Sequence, residues 1–340
     1  MKLYQYIIKR MLFIIPVLLG VSVIVFTLSR LTGDPAAAYI NEKMNAEQIA
    51  AVKEKYHFDE PVTNQYFYWL KGILEGDWGW SKVDSRPVTE AIATHFPATF
   101  ELALISMVIA IVVGILLGMA SAVRRNKPFD HATRVVSLIG VSIPIFWLAL
   151  IFVFVFYSQL HWFPPGYRYS DRFILSGDVN QGGTGFLLVD SIAAGNVDLF
   201  VDVVWHLVLP ATVLSFGNIA VITRIMRNSM LEVLGLDYIK TARAKGLPEK
   251  TVIRKHARKN AMIPTTTVVG LSFGGMLGGA VLTESIFSWP GLGRWSTKSI
   301  ASMDTNSVLG FCLMIAIIYV TVNLLVDIVY AYLDPRVRLE

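Results

Sequence analysis

The sequence predicts an all-α, polytopic membrane protein with six transmembrane helices. The chain has 340 residues, of which 54% are hydrophobic and 16% charged, against about 25% charged in ordinary soluble domains. Its apolar residues cluster in six uncharged runs, each near the ~20 residues that a helix needs to cross ~30 Å of hydrocarbon. The runs are Met11–Ser29, Leu102–Val123, Val135–Tyr157, Val203–Thr223, Asn260–Thr283 and Thr305–Val326. Six such runs argue against a soluble protein with buried core helices.

The first run follows Lys9 and Arg10, an arrangement that secretory signal peptides also show. The apolar region of a signal has about 7–15 residues and ends at a small-residue cleavage site. Here the run is longer and continues into Arg30 without such a site. We therefore interpret residues 1–30 as a retained N-terminal transmembrane helix.

Six spans place both termini on one side of the membrane, and the basic residues indicate which side. With the N-terminus inside, most of the 30 lysines and arginines fall on the shorter inner segments, chiefly at 124–134 and 224–259. Because basic residues favour the cytoplasmic side, both termini are predicted to be cytoplasmic. The formal charge of +5 is then explained by topology, with the lipid bilayer and no nucleic acid as partner.

The remaining chain divides into three parts. Residues 31–97 are predicted to be an extracytoplasmic helical segment, and residues 98–335 a core of five transmembrane helices that includes a basic loop at 227–263. Residues 336–340 form a short cytoplasmic tail. Ser176–Gly185, rich in Gly, Asp and Ser, predicts a loop.

Two helices are expected in the 31–97 segment. Asn45 and Gln48 have the spacing of a capping box, which marks a helix start. Pro61 can open the second helix, and an aromatic face follows that includes Tyr66 and Trp69.

Gly270-Leu-Ser272-Phe-Gly274 matches the G-x-S-x-G pattern of a nucleophile elbow. That motif requires a strand before the serine, whereas here it lies inside an uncharged run. Gly270, Gly274 and Gly278 recur every four residues, a spacing that lets two helix backbones approach closely in lipid. The alternative is a kinkable helix with no partner at that stripe.

The sequence offers no set of metal ligands, no phosphate-binding loop and no cofactor motif. The six histidines are scattered, and the single cysteine, Cys312, lies inside the last apolar run. No G-x-x-x-x-G-K-[ST] is present, so we expect no ATPase site and no enzyme activity. Intramembrane carboxylates mark ion pathways, but Glu101, Asp202, Glu284 and Asp327 are predicted at span ends. That placement argues against an ion-driven secondary transporter.

The basic loop at 227–263 is predicted to be two short helices joined by a hinge. Asp237 is suited to an N-cap, and Gly246 stands where a helix ends in a left-handed residue. Pro248 can open the next helix. Small side chains at Thr241, Ala242 and Ala244 leave the first helix slim enough to enter a groove on a partner. Without further information, the loop could also be a solvated basic segment beside the membrane.

The loop and several other segments resemble the permeases of ABC importers, and most closely the dipeptide/oligopeptide branch. The loop matches in its order A-x-x-x-G with an I-x-P ending about fifteen residues later. The other matching segments, in order along the chain, are Gly33-Asp34-Pro35, Pro97-Ala-Thr-Phe-Glu-Leu-Ala-Leu104, Ser142-Ile-Pro144-Ile-Phe-Trp147, Arg227-Asn-Ser-Met-Leu-Glu-Val-Leu234, Phe287-Ser-Trp-Pro-Gly-Leu-Gly293 and Asp334-Pro335-Arg336. Pro248 departs from the family, where many members carry a polar residue.

The resemblance implies a type I ABC importer permease fold in a prokaryotic inner membrane. It also implies four kinds of partner: a second homologous permease, two ATP-binding cassette subunits, an extracytoplasmic solute-binding protein, and lipid. Peptides are the expected substrate, while oligosaccharides, glutathione and nickel remain alternatives. The residues implied to couple the chain to the ATPases are Asp237, Tyr238, Thr241, Ala242, Arg243, Ala244, Lys245, Gly246 and Leu247. A membrane enzyme such as an intramembrane hydrolase would need a paired Ser/His or two in-span carboxylates, and the sequence indicates neither. A scaffold without transport would not need this loop.

Overall fold

The computed structural model describes residues 3–31, 36, 40, 44–175, 179 and 183–333. Within these residues the chain is almost entirely helical, and the all-α fold class is confirmed. The elements are α1 (Leu3–Leu31), α2 (Ala46–Lys55), α3 (Val62–Glu75), β1 (Trp80–Ser81), β2 (Arg86–Pro87), α4 (Val88–Val123), α5 (Pro128–Ser142), α6 (Ile145–Phe152, then a π-helical turn Val153–Gln159), α7 (Asp171–Leu175), α8 (Leu187–Ala193), α9 (Val197–Leu234), α10 (Asp237–Ala244), α11 (Glu249–Thr251, then a π-helical turn Val252–Ala257), α12 (Arg258–Ile286), α13 (Leu292–Ala301) and α14 (Thr305–Leu333).

Five segments are long and apolar enough to cross a membrane: α1, α4, α9, the continuous α11–α12 segment and α14. The third predicted span, Val135–Tyr157, is not one straight helix. It is divided between α5 and α6, whose axes meet at 106°. Pro144 causes the break, because a proline disfavours helical geometry in the residue before it, and Ile143 is extended with φ −74° and ψ 126°. Counting the bent pair as one span gives six.

The segment before the core contains a feature that the sequence did not indicate, a two-stranded antiparallel hairpin of β1 and β2. Pro87, the last residue of β2, is also the N-cap of α4, which runs unbroken for 36 residues with Pro97 inside. The predicted boundary at residue 97 therefore falls within α4 and not between two elements. Proline is disfavoured in soluble helices, but membrane helices tolerate it.

The two helices predicted before the hairpin are confirmed. Asn45 and Gln48 form a complete capping box at α2, and Pro61 directly precedes α3. α3 packs its aromatic face on α1, with Tyr66 and Trp69 at 5.3 and 5.4 Å from the Phe26 ring. We call α2, α3 and the hairpin the platform, and the opposite end of the bundle, which carries residues 124–134 and the basic loop, the basic end.

The centre of the bundle is the pair α4 and α9, which approach closely at two glycines. A Cβ on Gly114 would lie 2.7 Å from the Ile222 side chain, and one on Gly118 would lie 2.7 Å from both Met226 Cβ and the Thr223 carbonyl oxygen. Ile222 and Met226 are fully buried there. The glycines Gly114 and Gly118 have the same four-residue spacing as the predicted stripe at Gly270, Gly274 and Gly278, but they were not identified from the sequence.

The predicted glycine stripe on α12 faces α14. A Cβ on Gly270 would overlap Val326, one on Gly274 would lie 3.2 Å from Tyr319, and one on Gly278 would reach only ordinary contact distance. Ser272 lies within the same helix, with no strand before it. The context that a nucleophile elbow needs is therefore not met.

Near the platform, the carboxylates at the span ends are held by neighbouring elements. Glu284 is fully buried and accepts hydrogen bonds from the Thr99 hydroxyl at 2.7 Å and the Arg294 backbone N–H at 3.0 Å. Glu101 pairs with Arg168. These partners are consistent with structural roles, because buried carboxylates need hydrogen-bond donors or counter-charges.

Some of the predicted features lie outside the described residues. These are Gly33-Asp34-Pro35, Asp334-Pro335-Arg336, the tail 336–340 and most of the Ser176–Gly185 loop.

Candidate functional site

The basic loop docks against its own helix bundle through one apolar face. Ile239 and Ala242 of α10 are buried with Met226 and Met230 of α9 and with Val252 of the following π-helical turn. Burying side chains of this kind contributes about 1.5–3 kcal/mol each. α10 is therefore fixed between the end of α9 and the start of the fifth span.

This packing corrects the expectation for Ala242. It does not belong to the partner-facing surface, because only 8% of its surface is exposed and it contacts the chain's own core. The opposite side of α10 is open, and Tyr238 and Leu247 are 39% and 37% exposed. The other exposed members of the predicted set are Asp237, Thr241, Arg243, Ala244, Lys245 and Gly246.

The hinge at Gly246 has the predicted left-handed geometry, with φ +74°. Gly246 N–H donates to the Arg243 carbonyl at 2.9 Å, and Leu247 N–H donates to the Ala242 carbonyl at 3.4 Å. This pair of bonds is the Schellman motif that closes a helix C-terminus. The predicted N-cap at the other end is wrong. Leu236 occupies the N-cap position, and Asp237 is the first helical residue, where its carboxylate pairs with Lys240 at 2.9 Å.

The second half of the loop is not a separate short helix. From Glu249 the chain passes through α11 and the π-helical turn directly into α12. The sequence suggested an independent helix because Pro248 gives a start signal. No residue marks a helix end before Pro264, so the helix continues into the fifth span. The end of the hinge is thus continuous with a transmembrane segment.

Two polar contacts stabilise the folded loop, and neither could be identified from the sequence. Arg243 donates to both carboxylate oxygens of Glu249 on the far side of the hinge. Asn260 donates to the Tyr238 hydroxyl at 2.7 Å. Neither pair has a helical i, i+4 spacing, so only the folded turn brings the partners together.

A buried ion pair anchors the same end of the bundle. The Asp130 carboxylate, which is 0% exposed, accepts from Arg227 Nε at 2.6 Å and from a terminal nitrogen of Arg227 at 2.8 Å. Ser121 and the Asn126 N–H also donate to it. This cluster joins the end of α4, the start of α5 and the last third of α9, from which the basic loop extends.

The side chains around the basic loop form apolar packing contacts, hydrogen bonds and an ion pair. Among the residues that the structure describes, no group of three or more His, Cys, Asp or Glu side chains could hold a metal ion. The candidate site consists of the exposed face of α10, the turn at Gly246 and the continuous α11–α12 segment.

These features define a multi-pass membrane protein with a docked basic loop at one end of its bundle. The chain belongs to the family described as binding-protein-dependent transport system inner membrane component, whose sequence model matches residues 110–339. The N-terminal model of the same kind of component matches residues 3–103. The resemblance to ABC importer permeases is thereby confirmed.

Curated relatives match over nearly the whole chain. The dipeptide transport system permease protein DppB of Alkalihalophilus pseudofirmus is 40% identical, covering 98% of this chain and 99% of the relative. DppB of Escherichia coli is 41% identical, covering 98% of each. The oligopeptide transport system permease protein AppB of Bacillus subtilis is 36% identical, covering 98% and 99%.

Among solved structures, a chain of the inward-facing MetNI methionine ABC transporter aligns with a TM-score of 0.49 and 16% identity, covering 70% of this chain and 93% of that chain. The family assignment rests on the sequence matches.

Proposed function

We propose that this chain is the membrane-spanning permease subunit of an ATP-driven, binding-protein-dependent importer of di- and oligopeptides. The observation that carries the proposal is the near full-length match to dipeptide and oligopeptide permeases. Oligosaccharide, glutathione or nickel import by the same kind of machine is the second candidate, because it uses the same permease type.

The proposed partners are inferred from the missing phosphate-binding loop and from the surfaces that the chain exposes. It has no G-x-x-x-x-G-K-[ST] phosphate-binding loop in its 340 residues, so ATP hydrolysis is assigned to two separate ATPase subunits. A second, homologous permease would complete the path, and a solute-binding protein would dock on the platform. The family description itself names binding-protein dependence.

The coupling role is assigned to the exposed face of α10. Tyr238, Thr241, Ala244 and Lys245 lie on the open side, while Ile239 holds the helix to the bundle. ATPase closure would push α10, and the continuous α11–α12 segment would carry that movement into the membrane. The basic end is accordingly proposed to be cytoplasmic, as the distribution of lysines and arginines favours.

Uptake in cells tests the substrate. In a strain without this gene, uptake of a labelled dipeptide should fall to background and return with the intact gene. Unlabelled tripeptide should compete, whereas maltotriose, glutathione and nickel should not. Unchanged dipeptide uptake, with loss of nickel or oligosaccharide uptake, would replace peptides with the second candidate.

A further inference from the structure

A cavity of about 330 Å³ opens between α5 and α9 close to the basic end. Its walls include three arginines, Arg134, Arg224 and Arg227, together with the hydroxyl residues Ser137 and Thr223. The proposed transport role uses none of these side chains, apart from Arg227 as an anchor for Asp130.

The cavity carries a net positive charge. Arg227 is neutralised by Asp130, whose carboxylate is fully enclosed by its four donors. Arg224 and Arg134 are exposed, and among the described residues neither forms an ion pair with a carboxylate. Within the described part of the chain, the hydrogen-bond partner of the Arg134 guanidinium is the His131 ring. Two uncompensated guanidinium groups therefore face the same space.

Thr223 adds an unsatisfied polar group to this wall. It is only 2% exposed, and its hydroxyl has no hydrogen-bond partner within the described part of the chain. A buried hydroxyl without a partner costs free energy. An occupant with acceptor oxygens would pair with the two exposed arginines, and Thr223 lies in the wall beside them.

The cavity lies beside the ends of two of the predicted membrane-spanning runs. Arg134 directly precedes the uncharged run that begins at Val135, and Arg224 directly follows the run that ends at Thr223. Beyond the arginines, Leu138 is 68% exposed. An adjoining apolar cavity of about 260 Å³ shares Ser137 and Thr223 with the first and is lined further by Phe216. The site thus offers cations at one level and apolar surface next to it.

We propose that this cavity binds one anionic phospholipid, with its phosphate between Arg134 and Arg224 and its acyl chain along the apolar surface of α5. Arginine is suited to phosphate because its planar fork donates two parallel hydrogen bonds. The proposal requires only that the bundle is in a membrane, so it does not depend on the transported substrate.

Native mass spectrometry of the full-length chain, titrated with phosphatidylglycerol or phosphatidylcholine, tests the proposal. We expect one phosphatidylglycerol to bind more tightly than phosphatidylcholine. Arg224→Gln and Arg134→Gln should each weaken that binding about fivefold, the equivalent of about 1 kcal/mol per basic residue near a charged lipid surface. Thr223→Val should weaken it less. Because both arginines are exposed, the variants should fold normally.

Arg125→Gln is the matched control, since Arg125 is exposed at the same end of the bundle but does not line the cavity. Binding by Arg125→Gln that falls as much as in Arg224→Gln would indicate general electrostatic attraction and overturn the site. Equal binding of the two lipids would do the same. Displacement of the lipid by an equal concentration of glycerol 3-phosphate would replace the lipid with a soluble anion. Absence of retained phosphatidylglycerol from the complete transporter would show that a partner subunit covers the cavity instead.

Discussion

Arg243 and Glu249 form a two-pronged ion pair across the hinge, with Arg243 Nε 3.1 Å and a terminal nitrogen 2.7 Å from the two carboxylate oxygens. The pair joins the end of α10 to the start of the fifth span. Both side chains are about half exposed, and exposed pairs contribute at most about 1 kcal/mol. The pair therefore orients the turn, while the left-handed backbone of Gly246 determines whether the turn can form.

Replacement of Gly246 should disturb the hinge without disturbing the membrane core. A Cβ there meets open space, so Gly246→Val is penalised only through its backbone, by about 1–2 kcal/mol. The variant should insert normally, yet lose co-purifying ATPase subunits and stimulation of ATP hydrolysis by the loaded binding protein. Gly246→Asn is the control, because asparagine tolerates this geometry. Identical behaviour of the two variants would show that Gly246 is not the coupling hinge.

Removal of the Ile239 side chain should release α10 from the bundle. Ile239 is fully buried, and Ile→Ala in a packed site costs about 2–5 kcal/mol. We expect faster hydrogen exchange across residues 237–247 and weaker retention of the ATPase subunits. Leu236→Ala, at a side chain that is 45% exposed, should leave exchange unchanged. Equal protection in both variants would contradict the docking of α10.

Substitutions at the close approaches should lower stability in a graded way. Of Gly118, Gly270 and Gly275, Gly118→Ala should be the most damaging, because the new methyl group meets the Thr223 carbonyl and Met226 Cβ, both at 2.7 Å. Overpacking costs about 1–3 kcal/mol, measurable as a lower melting temperature in detergent. Gly270→Ala should be next, since it meets Val326. Gly275→Ala, with nothing within 4 Å, should be neutral, and a loss of stability there would contradict this description of the contacts.

The Asp130–Arg227 pair should show strong coupling. Arg227→Met leaves a carboxylate buried without its counter-charge, which costs about 3–5 kcal/mol. The double variant Asp130→Asn/Arg227→Met removes both charges and should recover much of that loss. A thermal denaturation cycle over the four proteins measures the interaction. Additive effects would show that the two groups do not interact as the structure indicates.

Membrane orientation can be measured directly with cysteine labelling. In a Cys312→Ser background, Thr63→Cys in the platform and Lys250→Cys in the basic loop place thiols at exposed positions. An impermeant maleimide added to intact cells should label position 63 and not position 250. Permeabilised cells should label both, and the reverse pattern in intact cells would invert the topology.

Local signals in the sequence predicted local structure well. The capping box at Asn45, the start after Pro61 and the left-handed Gly246 each depend on a few adjacent residues, and all three are confirmed. The inward position of Ala242 was missed because a small residue fits both a partner groove and the chain's own core. The turn between α5 and α6 was missed because apolar residues continue on both sides of Pro144, and a hydropathy pattern carries no information about direction.

The helical path from Glu249 to Ile286 is continuous through a π-helical turn, so in the proposed coupling role the fifth span would act as a lever. α12 has 29 residues, so it is about 43 Å long, and a tilt of about 5° at the basic end would move its far end by roughly 4 Å. Glu284 lies at that far end and is bonded to Thr99 of α4 at 2.7 Å. A hydrogen bond cannot stretch by such a distance. In that role, small movements of α12 would carry α4 with them, while larger ones would break the hydrogen bond between Thr99 and Glu284.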